Sequence, residues 1–182
     1  MMSRGEIPPT LVVSAPDLAW VGDRLGSYDP AANFLADELL PMLRREYRIT
    51  DSPDGIVAAG LSRRGMVSAY VAFRRPDAIA RVLSLSGSYY WRPPGHRQFE
   101  WIPARFAEEP RRDIRLYLAA GELETVVTPT NQGHYLVATN RHMRDVLRAK
   151  GYEHRYTEFY GVHSTFNWQD QLAPGLVYLL GR

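Results

Sequence analysis

The sequence predicts a three-layer α/β fold, in which a mostly parallel central sheet of about five strands lies between two layers of helices. Short apolar runs alternate with amphipathic segments along most of the 182 residues. Several of the runs are continuously apolar, as strands buried on both faces of a parallel sheet are. A strand and helix order of this kind is typical of a parallel sheet covered on both sides. The length suits one domain over residues 1–182.

Five segments are predicted as strands, and a first long helix stands between the first two. The strands are residues 10–14, 55–60, 81–86, 114–120 and 154–159. Asp29 as N-cap and Pro30 at the first helical position begin the helix, which reaches about Tyr47 and is expected to bend at Pro41. Its predicted buried face consists of Leu35, Leu39, Met42 and Leu43.

Three more helices follow from the spacing of apolar residues. One begins after Ser62 and ends before Pro76, since proline cannot continue a helix. The next is expected from about Thr130, with Gly151 as its left-handed cap, and the last begins at about Trp168. Their predicted inward residues are Met66, Ala69, Tyr70 and Phe73, then Leu136, Met143 and Leu147, then Leu172, Leu176 and Leu180.

Composition excludes several classes of function. The net charge is only +2, and the arginine pairs are scattered without the single basic face that nucleic-acid binding needs. With no cysteine, the chain has no disulfide, thiolate zinc site or cysteine nucleophile. No apolar run approaches the roughly 20 residues that span a bilayer. We therefore expect no nucleic-acid partner, no membrane association and a cytoplasmic location.

The strongest local signal for chemistry is the turn "GLSRRG", which joins a predicted strand to a predicted helix. A serine on such a sharp turn is held with its hydroxyl exposed above the sheet, as an activated nucleophile is. The backbone N–H of Arg63 would then be an oxyanion donor. The alternative is that Ser62 is only the N-cap of the helix, a common place for serine.

The other members of a catalytic triad must follow as an acid and then a histidine, each near the end of a later strand. Glu122 and Glu124 come just after the strand that ends at residue 120. His163 follows the last strand and precedes the last helix, which distinguishes it from the other four histidines. A surface histidine bonded to its own turn is the alternative interpretation of His163.

The chain resembles the enterochelin esterase-like branch of the α/β-hydrolases. The resemblance rests on the segments "FLADELLPMLRREY", "AAGLSRRG", "RRPDAIARVLSLSGSYYWRPPG", "LAAGELE", "NRHMRDVLRAKGYEHRYTEFYGVH" and "LAPGLVYLL". Together they extend over nearly the whole chain. The "SLSGSYYW" segment and the C-terminal half are the specific parts, whereas the serine turn occurs in many hydrolases.

The resemblance implies a serine esterase that acts on a small-molecule ester, such as a siderophore, without metal or other cofactor. Its nucleophile falls on Ser62, its base on His163 and its acid on Glu124, with Glu122 left open. These three would form and hydrolyse an acyl-enzyme. The predicted substrate-binding residues are Arg64, Tyr89, Tyr90 and Trp91. An alternative for the three aromatic residues is a hydrophobic cap over the core.

Three features differ from the family's pattern. Arg64 occupies the position where the family has glycine, and Val162 and Ser164 flank the histidine in place of glycine and aspartate. Only nine residues precede the strand predicted at 10–14, so we expect an N-terminally truncated fold without the second oxyanion loop. The open sheet edge would then favour a homo-oligomer. The alternatives to an esterase are an impaired remnant or fragment and an acyltransferase with the same triad.

Overall fold

The computed structural model describes residues 1–15, 26–127 and 133–181. Four parallel strands form one sheet in the order β1-β2-β3-β4. They are β1 (Val57–Leu61), β2 (Arg81–Leu85), β3 (Arg115–Gly121) and β4 (Glu153–Phe159). The predicted α/β class and the last four predicted strands are therefore confirmed to within about two residues. Because all four run the same way, their carboxyl ends lie along one edge of the sheet.

The first predicted strand, residues 10–14, is wrong. The segment forms no strand in the structure, and the described sheet has four strands instead of five. Its apolar side chains lie in solvent, with Val12 85% exposed. A strand needs a neighbouring backbone to accept and donate its ladder bonds, and in the described part of the chain β1 pairs with β2 alone.

The helix α1 begins at Asp29 and ends at Glu46, and it consists of three consecutive segments, Asp29–Asn33, Phe34–Leu39 and Leu40–Glu46. The middle segment is a π-helix, in which the N–H of Leu40 bonds the carbonyl of Leu35. This wider turn precedes Pro41 and rotates the following residues. The predicted buried face is therefore partly wrong: Met42 is 40% exposed, and the buried residues are Ala31, Ala32, Ala36, Leu40 and Leu43.

Four further helices follow the strands: α2 (Arg63–Arg74), α3 (Trp101–Glu108), α4 (Leu136–Ala149) and α5 (Thr165–Leu180). The predicted inward face of α2 is confirmed in full, and Gly151 follows α4 with φ 69°. The predicted start of α4 at Thr130 lies outside the described residues, and the helix begins at Leu136. The apolar spacing did not predict α3 and placed the start of α5 three residues late. The predicted inward residue Leu172 of α5 is 39% exposed.

The sheet separates two cores. On one face, alternate strand residues such as Val82 and Leu116 pack with α1 to α4. On the other face, Leu83 and Tyr117 pack with Trp168 and Leu179 of α5. This arrangement covers both faces of the sheet, as expected for parallel strands. Within the residues described, no helix combines the length and apolar character needed to cross a bilayer.

Candidate active site

Ser62 lies between the end of β1 and the start of α2, in a backbone conformation that serine rarely adopts. Its φ is 56° and its ψ is −123°. The turn is fixed on both sides, because the Ser62 N–H donates to the carbonyl of Leu85 (2.8 Å) and the Ser88 N–H donates to the carbonyl of Ser62 (3.2 Å). Its side chain makes no capping bond to α2. The interpretation of Ser62 as a simple N-cap is therefore wrong.

Two glycines allow α2 to pass close to the sheet at this turn. A Cβ on Gly60 would lie 2.3 Å from the backbone carbon of Arg64, and one on Gly65 would lie 2.9 Å from the carbonyl oxygen of Gly60 and 3.0 Å from Ser84 Oγ. Gly65 is buried, whereas Arg64 is exposed. Arginine at 64, where the family has glycine, is therefore compatible with the packing of α2, because Gly60 and Gly65 occupy the close approaches.

Ser62, His163 and Glu124 form one line of hydrogen bonds across the carboxyl edge of the sheet. Ser62 Oγ lies 2.9 Å from His163 Nε2, and His163 Nδ1 lies 3.2 Å from Glu124 Oε2. The imidazole side chain is 34% exposed, whereas the carboxylate is fully buried. A proton can therefore pass from the hydroxyl to an imidazole whose far side faces an acceptor, the arrangement that activates a serine.

The glutamate in this line is Glu124, and Glu122 is exposed. Backbone bonds set the difference, since Glu122 donates its N–H to the carbonyl of Phe159 while Glu124 donates its N–H to the carbonyl of Gly121. The carboxylate of Glu124 also accepts from Ser86 Oγ (2.5 Å) and from the Gly121 N–H (3.0 Å). Of the two glutamates that the sequence left open, Glu124 is the one whose carboxylate faces His163.

The loop before α5 holds His163 in place despite its unusual neighbours. Asn167 Oδ1 accepts the N–H of Val162 at 3.2 Å, and the carbonyl of Gly161 accepts the N–H of Leu123 at 3.1 Å. Trp168, one turn into α5, meets the imidazole edge to face with ring centroids 4.8 Å apart. His163 therefore faces Ser62 without the glycine and aspartate that the resemblance led us to expect.

Three residues near Ser62 were absent from the predicted site. Ser88 is buried and its hydroxyl lies 3.4 Å from Ser62 Oγ. Ser86, at the end of β2, bonds both Glu124 and the indole N–H of Trp168. One sequence signal could have found the serines: "SLSGS" ends a strand that neighbours the serine-bearing one, so its polar residues lie at the same edge of the sheet.

The first backbone N–H of α2 belongs to Arg63, directly after Ser62. The N-terminus of a helix carries partial positive charge, so this group is suited to oppose negative charge that develops beside Ser62. The guanidinium of Arg63 lies 3.4 Å from the hydroxyl of Tyr28. These contacts place Arg63 between the candidate nucleophile and Tyr28, the residue before α1.

The aromatic residues predicted to bind substrate are buried instead. Tyr89 is completely inaccessible and donates to Ser84 Oγ at 2.9 Å, and burial raises the pKa of its phenol. Trp91 packs between Tyr28 and Trp101, and Tyr90 stacks on His134. Their burial favours the alternative of a hydrophobic cap over the core. Arg64 remains exposed at the second position of α2.

Comparisons with known proteins identify the family to which the chain is similar. The sequence profile of the family described as Putative esterase matches residues 23–179. The iron(III) enterobactin esterase of Dickeya dadantii is 30% identical over 165 residues, which are 82% of this chain and 35% of that protein. The iron(III) salmochelin esterase of Escherichia coli is 28% identical over 86% of this chain and 39% of its own. The chain thus spans little more than a third of these relatives.

Solved structures share the fold. The enterobactin esterase of Shigella flexneri, solved in the presence of 2,3-dihydroxy-N-benzoyl-glycine, superposes with a TM-score of 0.78 at 24% identity, over 98% of this chain and 46% of its own. A fluorophosphonate-binding serine hydrolase of Staphylococcus aureus gives a TM-score of 0.64 at 15% identity, over 86% of this chain and 64% of its own. At these identities the likeness concerns the fold.

Proposed function

Because the chain belongs to the family described as Putative esterase, in its enterochelin esterase-like branch, we propose that it hydrolyses carboxylic esters with Ser62 as nucleophile, His163 as base and Glu124 as acid. The observation that carries the proposal is the continuous line of hydrogen bonds from Ser62 Oγ through the imidazole to a buried carboxylate. Residues 1–182 would act as one esterase-like domain.

The reaction proceeds in two halves. His163 Nε2 accepts the proton of Ser62 as Oγ bonds the ester carbonyl carbon, and the protonated imidazole then gives that proton to the leaving alcohol as the ester C–O bond breaks. In the second half, His163 takes a proton from water as the water oxygen bonds the acyl carbon, and it then gives that proton to Ser62 Oγ as the bond between Oγ and the acyl carbon breaks and the acid leaves. Glu124 accepts from Nδ1–H throughout, so that Nε2 faces Ser62 unprotonated at the start.

Negative charge on the carbonyl oxygen of the tetrahedral intermediate would be met by the Arg63 N–H at the start of α2. The Ser88 hydroxyl is a second polar group beside Ser62 Oγ. Losing one oxyanion donor costs about 10²–10³ in rate. Because this loss lowers the rate without abolishing it, we expect the chain to hydrolyse activated esters even if Arg63 is its one strong backbone oxyanion donor.

We propose a siderophore-like ester as the substrate class, since the relatives are named as esterases of iron(III) enterobactin and iron(III) salmochelin. The arginines at 63 and 64 also favour an anionic substrate. The location expected for such a reaction is the cytoplasm. A short p-nitrophenyl ester tests the proposed ester hydrolysis alone, because its hydrolysis needs no siderophore recognition. Enterobactin tests the proposed substrate class.

The experiment compares the parent chain with Ser62→Ala on both esters. We expect Ser62→Ala to abolish hydrolysis of each, because no other side chain in the line can attack a carbonyl. The matched control is Ser68→Ala, since Ser68 is a serine of α2 that bonds the carbonyl of Arg64 and should keep parent turnover. Unchanged turnover in Ser62→Ala would overturn the assignment, and transfer of the acyl group to an added alcohol in preference to water would indicate an acyltransferase.

A further inference from the structure

We propose that Ser86 and Trp168 are positioning residues that fix the carboxylate of Glu124 so that one of its oxygens always faces His163. The inference rests on the proposed function, since it explains how the acid of that triad is held. Trp168 Nε1 lies 2.8 Å from Ser86 Oγ, which lies 2.5 Å from Glu124 Oε1. All three side chains belong to buried residues.

The chemistry of the groups sets the direction of these bonds. An indole N–H can only donate, and a carboxylate oxygen can only accept. The hydroxyl of Ser86 must therefore accept from Trp168 and donate its own proton to Glu124. A serine hydroxyl elsewhere can rotate to suit its neighbours, but Trp168 leaves this one a single orientation.

As a consequence, the two oxygens of Glu124 have different hydrogen-bond partners. Oε1 accepts from Ser86 and from the Gly121 N–H, and Oε2 is left to accept from His163 Nδ1 at 3.2 Å. Rotation of the carboxylate would break both bonds at Oε1, and water could not replace them because the Glu124 side chain is fully buried. The imidazole therefore meets an acceptor in one fixed place.

The backbone at Ser86 supports a role for the hydroxyl. Its φ is 50°, in the left-handed region that glycine adopts freely and other residues seldom do. The conformation is held by the Ser86 N–H, which donates to the carbonyl of Ala119 at 2.6 Å. The ring of Trp168 also packs edge to face with His163, and its N–H orients the Ser86 hydroxyl that bonds the acid.

Three variants test the proposal: Ser86→Ala, Ser86→Gly and Trp168→Phe. Ser86→Gly suits the backbone at φ 50° and still removes the hydroxyl, so it separates the side chain from backbone strain. We expect both Ser86 variants to lower kcat for a p-nitrophenyl ester by about 10–100-fold with KM within about twofold, because a misplaced catalytic group costs rate and not binding. Trp168→Phe keeps an aromatic ring beside His163 and removes only the N–H that orients the Ser86 hydroxyl, so the loss of kcat should be smaller.

The double variant Ser86→Gly with Trp168→Phe gives the sharpest comparison. If the indole N–H acts through Ser86, the double variant has the kcat of Ser86→Gly alone, whereas independent effects would multiply. Multiplied effects, or parent kcat in both single Ser86 variants, would overturn the proposal. Ser68→Ala is again the matched control, and circular dichroism melting checks that each variant folds.

A second measurement does not need activity. The Trp168 indole N–H, identified by its absence from the NMR spectrum of Trp168→Phe, should exchange slowly in the parent and quickly in Ser86→Gly. Protection unchanged in Ser86→Gly contradicts the proposal. If the parent hydrolyses no ester and Ser62 does not react with a fluorophosphonate, the proposed function fails, and the indole signal still decides whether Ser86 receives this bond.

Discussion

Replacing Glu124 by glutamine changes one oxygen of the proposed triad into an amide nitrogen while keeping the size of the side chain. The carboxylate is fully buried, and it accepts two donors at Oε1, Ser86 and Gly121, but only one at Oε2, His163. A glutamine has one oxygen for these two places. Each net hydrogen bond contributes about 1 kcal/mol, so the oxygen should take the Oε1 place, where it accepts two bonds and keeps the amide away from two donors.

The amide nitrogen of Glu124→Gln would then face His163 Nδ1. Since an amide NH₂ donates, the imidazole must accept at Nδ1 and carry its proton at Nε2, the tautomer that cannot take a proton from Ser62. The same error in a Ser-His-Asp protease lowers kcat by about 10⁴-fold, which corresponds to about 5.5 kcal/mol in the barrier at about 1.4 kcal/mol per tenfold. We expect a loss of this order in kcat with little change in KM.

The assay is steady-state hydrolysis of a p-nitrophenyl ester, and the matched control is Glu122→Gln. Glu122 is an exposed glutamate two residues away, so its variant should keep parent kcat within about twofold, as surface changes do. Parent activity in Glu124→Gln, or an equal loss in Glu122→Gln, would refute the tautomer argument. Equal melting temperatures for the parent and both variants would exclude a folding defect as the cause.

Three further predictions concern the turn, the pH dependence and the sheet edge. Gly65→Ala should lower the free energy of unfolding by about 1–3 kcal/mol, because the added Cβ would overpack against the backbone of Gly60. Arg64→Ala should change the free energy of unfolding by no more than about 0.5 kcal/mol. Unfolding by denaturant measures both variants. The Arg141 guanidinium bonded to Glu158 lowers the pKa of that carboxyl, so Glu158→Gln should lower the melting temperature at pH 7 by about 2–4 °C, for about 1 kcal/mol. That difference should shrink as the pH falls below the ordinary value of 4.5, because a protonated Glu158 loses the pair; a constant difference would contradict it. The homo-oligomer expected from the open sheet edge would pair β1 with a second copy of the chain. Ala59→Lys places a charge on this uncharged edge and should convert the dimer to a monomer in sedimentation experiments. A parent chain that is monomeric would contradict the homo-oligomer.

The parallel sheet could be predicted from sequence because its evidence is local. Apolar runs such as "RVLSL" and "RLYLAAG" have the length and composition of buried strands, and helical patterns stand between most of the predicted strands. Residues 10–14 show the limit of that reasoning. "TLVVS" has the same apolar, β-branched composition, but a strand also depends on a partner, which composition does not contain.

The helix α1 shows a second limit. Its existence and bounds follow from Asp29, Pro30 and the apolar spacing, but its buried face depends on the π-helical turn at Phe34–Leu39. Periodicity assumes one constant turn, so one wider turn moves every later residue around the axis. Leu43 stays buried while Met42 turns outward, which the spacing alone could not predict.

The candidate site also has a part that the order of residues in the chain predicts and a part that depends on contacts between distant residues. The order of Ser62, an acid and His163 at successive strand ends predicts which residues meet, because the strand ends share one edge of the sheet. The choice of Glu124 over Glu122 and the contact of Ser86 with Trp168 depend on backbone angles and on residues 82 positions apart. The assignment of Tyr89 to the site fails for the same reason, since Tyr89 follows the end of β2, beside β1, but its side chain lies in the core.

The central claim is that Ser62 is the nucleophile of an acyl-transfer reaction. The most direct measurement is the reaction of the parent chain with a fluorophosphonate, followed by mass spectrometry of its peptides. The account predicts one label per chain, on Ser62, and none in His163→Ala, where the base that activates the hydroxyl is gone. A label on another serine, equal labelling in His163→Ala, or a parent chain that takes no label would contradict it.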